Sequence, residues 1–253
     1  GEVADWTLVD KDGSTNLLSG LTNANVGVSG NTVTLTLADT TGTTGPPTYT
    51  YSQAGGDDIR DSASNKTLAK GATVTNDNAK PVVRAVKIMD DNTNGNIDMV
   101  RVTFSENVVD ASFTNTGWAI SDTSAIAPAL ASPVSETDTA NDNKIYIGLT
   151  PTKTNDTDII TEVYDTTATG VALKDAANNT VANCNSGCVT ETDGAPPAIT
   201  NTVTADSDAD GYLNTVTFSF SEAIVGTGQI GDWTLLDKDG STNLLSGLTD
   251  GNV

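Results

Sequence analysis

Apolar and polar residues alternate along this chain with a period of two. Val100, Val102 and Phe104 alternate with Met99, Arg101 and Thr103, and Val216, Phe218 and Phe220 alternate with Thr215, Thr217 and Ser219. That period predicts strands with one buried face. Further strands are predicted over 32–37, 48–51, 82–88, 144–149 and 159–164, separated by clusters of Gly, Asn, Asp and Pro. No helical periodicity persists beyond about two turns. The chain is expected to be all-β.

The pattern repeats on two scales. Residues 1–26 return at 228–253 with 20 of 26 positions identical, and Trp6 recurs as Trp233, a period of 227 residues. Inside it, 79–109 aligns with 195–225 at an offset of 116. Repeats of this length describe modules that each bury their own core. Several short strands per roughly 115 residues favour β-sandwiches of immunoglobulin-like type arranged head to tail. The alignment divides the chain into 1–78, the second half of a module; 79–194, a complete module; and 195–253, the first half of a following one. Residues 59–69 match 173–182 with one gap, which fixes the assignment of the first half. Two expectations follow: the chain is a window on a longer array, or its half-modules are completed by neighbouring chains through identical repeats. Open strand edges on each half invite such pairing.

Composition narrows the role. The net charge is −21, there is no histidine, and 36% of residues are apolar. Such acidity repels nucleic acid and anionic membranes, and suits an extracellular protein, one that attracts cations, or simply a soluble surface. No apolar stretch approaches the roughly 20 residues of a membrane span, and with no signal peptide at Gly1 the chain reads as a mature form or an excerpt. Without a histidine base, a G-x-S-x-G elbow or a phosphate loop, an enzyme is not expected.

Val102-Thr103-Phe104-Ser105-Glu106 and Phe218-Ser219-Phe220-Ser221-Glu222 resemble the TFSE-x-V signature of bacterial Ig-like domains, which occur in tandem in S-layer and other surface proteins. Leu173-Lys174-Asp175-Ala176-Ala177-Asn178 is similar to the L-x-D-x-x-G-N strand end of that family, with Ala177 in place of the usual Gly. The resemblance implies a non-enzymatic role at the cell surface, in a filament, stalk or S-layer; the alternative is an adhesin or glycan-binding array. Trp118 and Trp233 follow the motif's Glu by 12 and 11 residues, and Trp6 holds the same place in the first half. They are expected to plug the cores, with a sugar-stacking platform as the other reading.

Asp90, Asn92, Asn94, Asn96 and Asp98 share one loop spacing with Asp206, Asp208, Asp210, Tyr212 and Asn214. Side-chain oxygens fall at loop positions 1, 3, 5 and 9, Gly at 6, and position 7 offers its carbonyl. The spacing resembles the first nine residues of an EF-hand and predicts Ca²⁺. The departure is position 12, where Arg101 and Thr217 replace the bidentate Glu; a solvated Asn/Asp/Gly turn is the competing reading. Asp10-x-Asp12-Gly13 and Asp237-x-Asp239-Gly240 read as hairpin turns. A second candidate set lies at the module junctions. Asn76-Asp77-Asn78 before Pro81 resembles the calcium-stiffened linker of cadherins, with Glu191-Thr192-Asp193 as its counterpart. The expected geometry brings Glu106 toward Asp77, and Glu222 toward Asp193; a flexible polar linker competes. Cys184 and Cys188 are the only cysteines. With no histidine and no third thiol they do not suggest zinc, and a local disulfide or two free thiols remain. Asn65, Asn155 and Asn178 head glycosylation sequons.

Overall fold

Among the described residues, strands form where the alternation places them, and several more form against their edges. The computed structural model describes residues 2–38, 45–53, 59–115, 118, 129–150, 157, 172–184, 189–226 and 228–250. In chain order the strands are β1 (Trp6–Val9), β2 (Val26–Ser29), β3 (Thr32–Leu35), β4 (Thr48–Tyr51), β5 (Lys70–Val74), β6 (Val83–Met89), β7 (Met99–Phe104), β8 (Ala129–Leu130), β9 (Lys144–Gly148), β10 (Glu191–Asp193), β11 (Ile199–Ala205) and β12 (Thr215–Phe220). The fold is all-β with small, open sheets. Among the described residues the helical pieces are three-residue 3-10 turns, and no helix is long and apolar enough to cross a membrane. The predicted strand at 159–164 lies outside the described residues.

The chain divides into two compact units, residues 1–196 and 197–253. In the first, residues 79–194 build a five-stranded sheet in the order β10-β6-β7-β9-β8. β6, β7 and β9 are antiparallel neighbours, and β10 runs parallel to β6 with Asp193 opposite Ile88. Alternation sends Val86, Ile88, Val100, Val102, Phe104, Ile145 and Ile147 to one face, where they join Trp118, Leu173 and Val181 in the core. Val86, Ile88, Val100, Val102 and Ile147 are completely buried. Trp118 is therefore core, against Phe113 at 5.6 Å between ring centroids.

The opposite face is covered by the loop between β8 and β9. Glu136 in that loop accepts hydrogen bonds from Lys87 Nζ (3.0 Å), Arg101 Nη1 (2.9 and 2.6 Å) and the Tyr146 hydroxyl (3.0 Å), one residue from each of β6, β7 and β9. Asp91 holds the same loop, accepting from the amides of Val134 (2.7 Å) and Ser135 (2.9 Å). Burial alone would raise the Glu136 carboxyl; the bonds from Lys87, Arg101 and Tyr146 outweigh it and hold the group at about 2. Burial, reinforced by the Glu136 bond, pushes the Tyr146 phenol up to about 12.

Residues 1–78 form a sheet in the order β1-β4-β5 and a separate β2–β3 hairpin. Trp6 packs on Tyr51 at 4.8 Å between ring centroids, and Leu8, Leu18 and Tyr51 are buried. The unit of residues 197–253 contains the antiparallel β11–β12 pair and the second copy of the 26-residue segment. Its local geometry matches the first copy: the bridge Leu236–Asn243 repeats Val9–Asn16, and Trp233 stacks on Phe218 at 4.3 Å. Burial does not match. Leu236, Leu244 and Leu248 are 48%, 39% and 42% exposed, because the described residues of this unit hold no counterpart of the β4–β5 sheet on which β1 lies.

Candidate metal centre

Three acids from three separate segments meet in the unit of residues 1–196. Asp77 follows β5, Glu106 follows β7, and Asp175 sits in the turn bridged by Lys174 and Thr180. One carboxylate oxygen from each lies within 4.8 Å of the others. Glu106 and Asp175 are 5% and 4% exposed, and Asp77 is half-buried.

Local sequence fixes each acid. Asp77 Oδ1 accepts from the Ala79 amide at 3.0 Å, an Asx turn that steers the chain toward Pro81. Asp175 accepts from Asn179 twice, the backbone amide at 2.8 Å and Nδ2 at 2.7 Å. That same Nδ2 donates to the Asp77 carbonyl at 3.3 Å and so ties two of the three segments together. Beside Glu106, the Val82 amide donates to Ser105 Oγ (3.0 Å) and the Ser105 amide donates to the Val82 carbonyl (2.8 Å). Glu106 is thereby held against the entering chain.

Asp77 and Glu106 thus converge as the junction reading requires. Asp175 was not among the expected ligands. It stands 69 residues after Glu106, and it was marked by the L-x-D-x-x-G-N resemblance and by the match of its turn to residues 59–69, neither of which points to a ligand. The counterpart there is Asp61, which accepts from the Asn65 amide and Nδ2, both at 2.8 Å. The Asn65 bonds lower the Asp61 carboxyl, side chain first. Asp193 repeats the Asp77 turn, its Oδ1 accepting from Ala195 at 3.0 Å. Ser221 repeats Ser105, its Oγ accepting from Ala198 at 2.9 Å. Asp193 belongs to the first unit and half-buried Glu222 to the second.

The two acidic loops fold alike. Asp90 Oδ1 and Oδ2 accept from the amides of Asn94 (3.1 Å) and Gly95 (2.7 Å), and Asp206 does the same with Asp210 (3.2 Å) and Gly211 (2.8 Å). Gly95 and Gly211 take φ of 84° and 93°, the left-handed conformation that the tight turn requires. Asn94 Oδ1 accepts from the Asn96 amide (3.0 Å) and side chain (2.7 Å), and Asp210 Oδ1 from the Tyr212 amide (2.9 Å). The ninth position closes each loop: Asp98 Oδ1 accepts from Asp91 at 2.8 Å, and Asn214 Oδ1 from Ser207 at 2.5 Å. Asn92 Nδ2 also donates to Asp98.

The loops differ in charge. Asp206, Asp208 and Asp210 converge within 4.8 Å but are exposed. In the first loop Asp90 is buried, and Asn92 and Asn94 replace two of the acids. Burial pushes the Asp98 carboxyl up, the Asp91 amide partly reverses this, and the charges of Asp90 and Asp91 raise it further.

Asp10–Gly13 and Asp237–Gly240 are turns, the Gly amide donating to the Asp carbonyl at 2.9 and 2.7 Å. Cys184 is buried and disulfide-bonded; Cys188 lies outside the described residues. Of the sequon residues, Asn65 and Asn178 fall in exposed turns, and Asn155 lies outside the described residues. No protein-family model, curated protein or solved structure matches this chain.

Hard oxygen donors without nitrogen or sulfur suit Ca²⁺, which takes about six to eight oxygens, over Zn²⁺ or copper. Asp77, Glu106 and Asp175 offer three carboxylates and, at Asp77, a nearby carbonyl. Their fit to such a cation rests on partial enclosure and on position, since the cluster joins residues 1–78 to 79–194.

Proposed function

We propose that this chain is a structural repeat of an extracellular surface filament, stalk or S-layer-like assembly, built from bacterial Ig-like modules that associate head to tail and are stiffened by Ca²⁺ at their junctions. The observation that carries the reading is the convergence of Asp77, Glu106 and Asp175 at the point where one repeat passes into the next. Three carboxylates within 4.8 Å, two of them buried, offer a cation converging negative charge. Bound there, Ca²⁺ supplies charge neutralisation and a cross-link between three segments. Asp77 and Asp175 are pre-positioned for it by Ala79 and Asn179, so little ordering is needed. The two acidic loops are further calcium candidates, and the exposed Asp206–Asp210 group is the one with three carboxylates.

The repeat supports the structural half of the reading. The strand irregularity between Val83 and Ala85 recurs at an offset of 116 and the Val9–Asn16 bridge at 227, as an array of one building block requires. The test is thermal unfolding of the full chain in excess EDTA and in millimolar calcium, with Glu106→Gln alongside. Extracellular modules bind at about 10⁻⁴–10⁻³ M, so millimolar calcium adds about 1 kcal/mol per site. The expected result is a rise of several degrees in the parent that the Glu106→Gln variant loses. Equal melting of the parent in both solutions sinks the calcium reading. Electron micrographs without an axial repeat at any concentration sink the filament.

A further inference from the structure

The sequence holds a single asparagine followed by glycine, Asn94-Gly95, and the fold sets that pair in the turn of the first acidic loop. An asparagine side chain is labile where the backbone nitrogen of the next residue can reach its Cγ. A following glycine, with no Cβ, leaves that approach open.

The hydrogen bonds around the pair bear on this reaction. Asn94 Oδ1 accepts from the Asn96 amide at 3.0 Å, closing an Asx turn across the Gly95 nitrogen. The same Oδ1 accepts from Asn96 Nδ2 at 2.7 Å. Donors converging on one amide oxygen draw electron density from Cγ, and they stabilise the negative charge that develops on Oδ1 when a nucleophile adds, as in an oxyanion hole. The Gly95 amide, the attacking group, donates to Asp90 Oδ2 at 2.7 Å. Asp90 is 4% exposed and its Oδ1 is fixed by the Asn94 amide at 3.1 Å, so a carboxylate is held on the N–H that must be lost. Asn94 itself is exposed, and water reaches it. Electrophile, oxyanion donors and base thus surround one peptide bond. The second loop keeps the frame without the amide: Asp210 stands in the place of Asn94, and Gly211 donates to Asp206 at 2.8 Å.

We propose that Asn94 is a site of self-modification, at which the folded loop converts the asparagine to aspartate and isoaspartate. Asp90 takes the Gly95 amide proton as the nitrogen bonds to Asn94 Cγ. The tetrahedral adduct carries its charge on Oδ1, against both Asn96 donors. It collapses as the Cγ–Nδ2 bond breaks, and Nδ2 leaves as ammonia with the proton that Asp90 returns. Water then opens the cyclic imide. Breaking the bond from the Gly95 nitrogen to Cγ leaves aspartate; breaking its bond to the Asn94 backbone carbonyl carbon leaves isoaspartate. One water enters, one ammonia leaves, and nothing is oxidised or reduced. The aspartate product carries at position 94 the acid that the second loop carries at Asp210. The proposal does not rest on the calcium reading.

The test is peptide mapping by mass spectrometry of the full chain, held for days at neutral pH in EDTA and heavy-oxygen water, folded and in urea. Residues 88–101 form one tryptic peptide, between Lys87 and Arg101, that contains Asn92, Asn94 and Asn96. Asn94 is expected to exchange its NH₂ for OH with uptake of heavy oxygen while Asn92 and Asn96 stay amides, at least about tenfold faster in the folded chain than in urea. Any Asn-Gly pair reacts slowly once unfolded, so the ratio decides: a folded rate equal to or below the unfolded one overturns the proposal. Asp90→Asn is expected to bring the folded rate down to the unfolded one. Because losing Asp90 also loosens the loop, Asn96→Ala, which removes only the Nδ2 donor, is measured beside it, and is expected to slow the folded reaction by roughly tenfold. Folded rates unchanged in both variants overturn the assigned roles and the proposal with them.

Discussion

Glu136 gives the sharpest quantitative test of the architecture. Its carboxylate is the common acceptor for Lys87, Arg101 and Tyr146, and it pins the β8–β9 loop over three strands at once. The Glu136, Lys87 and Arg101 side chains are 22%, 27% and 25% exposed, so each ion pair is partly screened and worth nearer 0.5–1 kcal/mol than the 1.5–3 of a buried charge-assisted bond. Tyr146 is 2% exposed and would lose the partner of its hydroxyl. Together these give about 2 kcal/mol for Glu136→Ala and about 1 kcal/mol for Glu136→Gln, which keeps an acceptor but no charge. Urea unfolding of the full chain reads this as a lower midpoint at constant slope. A double-mutant cycle with Arg101→Met isolates the pair, with an expected coupling of about 0.5–1 kcal/mol. The pH dependence has a definite sign. With the folded carboxyl near 2 against an ordinary 4.5, its contribution is present above pH 4.5 and is lost as pH falls through about 2. Tyr146, held near 12 against 10, contributes below pH 10 and loses that as pH rises through about 12. A Glu136→Ala midpoint equal to the parent's, or zero coupling to Arg101, refutes the loop-pinning account.

Three further outcomes are expected. Gly194→Ala should destabilise by at least about 1–3 kcal/mol, because a Cβ there would lie 2.8 Å from the Ile88 carbonyl and against the Lys87 stem; calorimetry showing no change would mean the β10 contact is not kept in solution. Asp98→Asn, which copies the Asn214 of the second loop, should stabilise the metal-free chain at pH 7 and lose that advantage below about pH 4. A raised carboxyl favours folding in its protonated form and costs stability once ionised, so a variant less stable than the parent at pH 7 in EDTA contradicts this. Phe104→Ala, at a 1% exposed core position, should cost about 3–5 kcal/mol in chemical unfolding; a cost below about 1 kcal/mol would mean the core is not packed as described.

The strands that were legible in the sequence are those with strict alternation beside a core, as in β7, β9 and β12. The start of β6, predicted at 82, moved where a side chain took over a ladder bond: the Val82 amide donates to Ser105 Oγ, so β6 starts at Val83. β2, β5 and β10 carry no readable signal. They are short and rich in Gly, Thr or acid, and they are strands only because an open edge lies beside them. The junction pair Asp77 and Glu106 was legible because the linker and the TFSE motif each set one residue at a known end of a module. Asp175 was not, since its L-x-D turn is recognisable as a strand end but nothing local says that it folds back onto the junction. The Glu136 hub was invisible for the same reason: its partners are 49, 35 and 10 residues away.

The parallel β6–β10 pair has a mechanical consequence. The chain enters residues 79–194 just before β6 and leaves just after β10, and the two strands run the same way with Glu191 opposite Val86 and Asp193 opposite Ile88. Tension applied through the two linkers therefore pulls the partners lengthwise past each other. Their hydrogen bonds, with that of Thr192 Oγ1 to the Val86 carbonyl, share the load and must yield together, whereas an antiparallel hairpin pulled from its open end unzips one bond at a time. Segments joined in this way resist stretching at their termini, where a strand of just three residues serves as the latch.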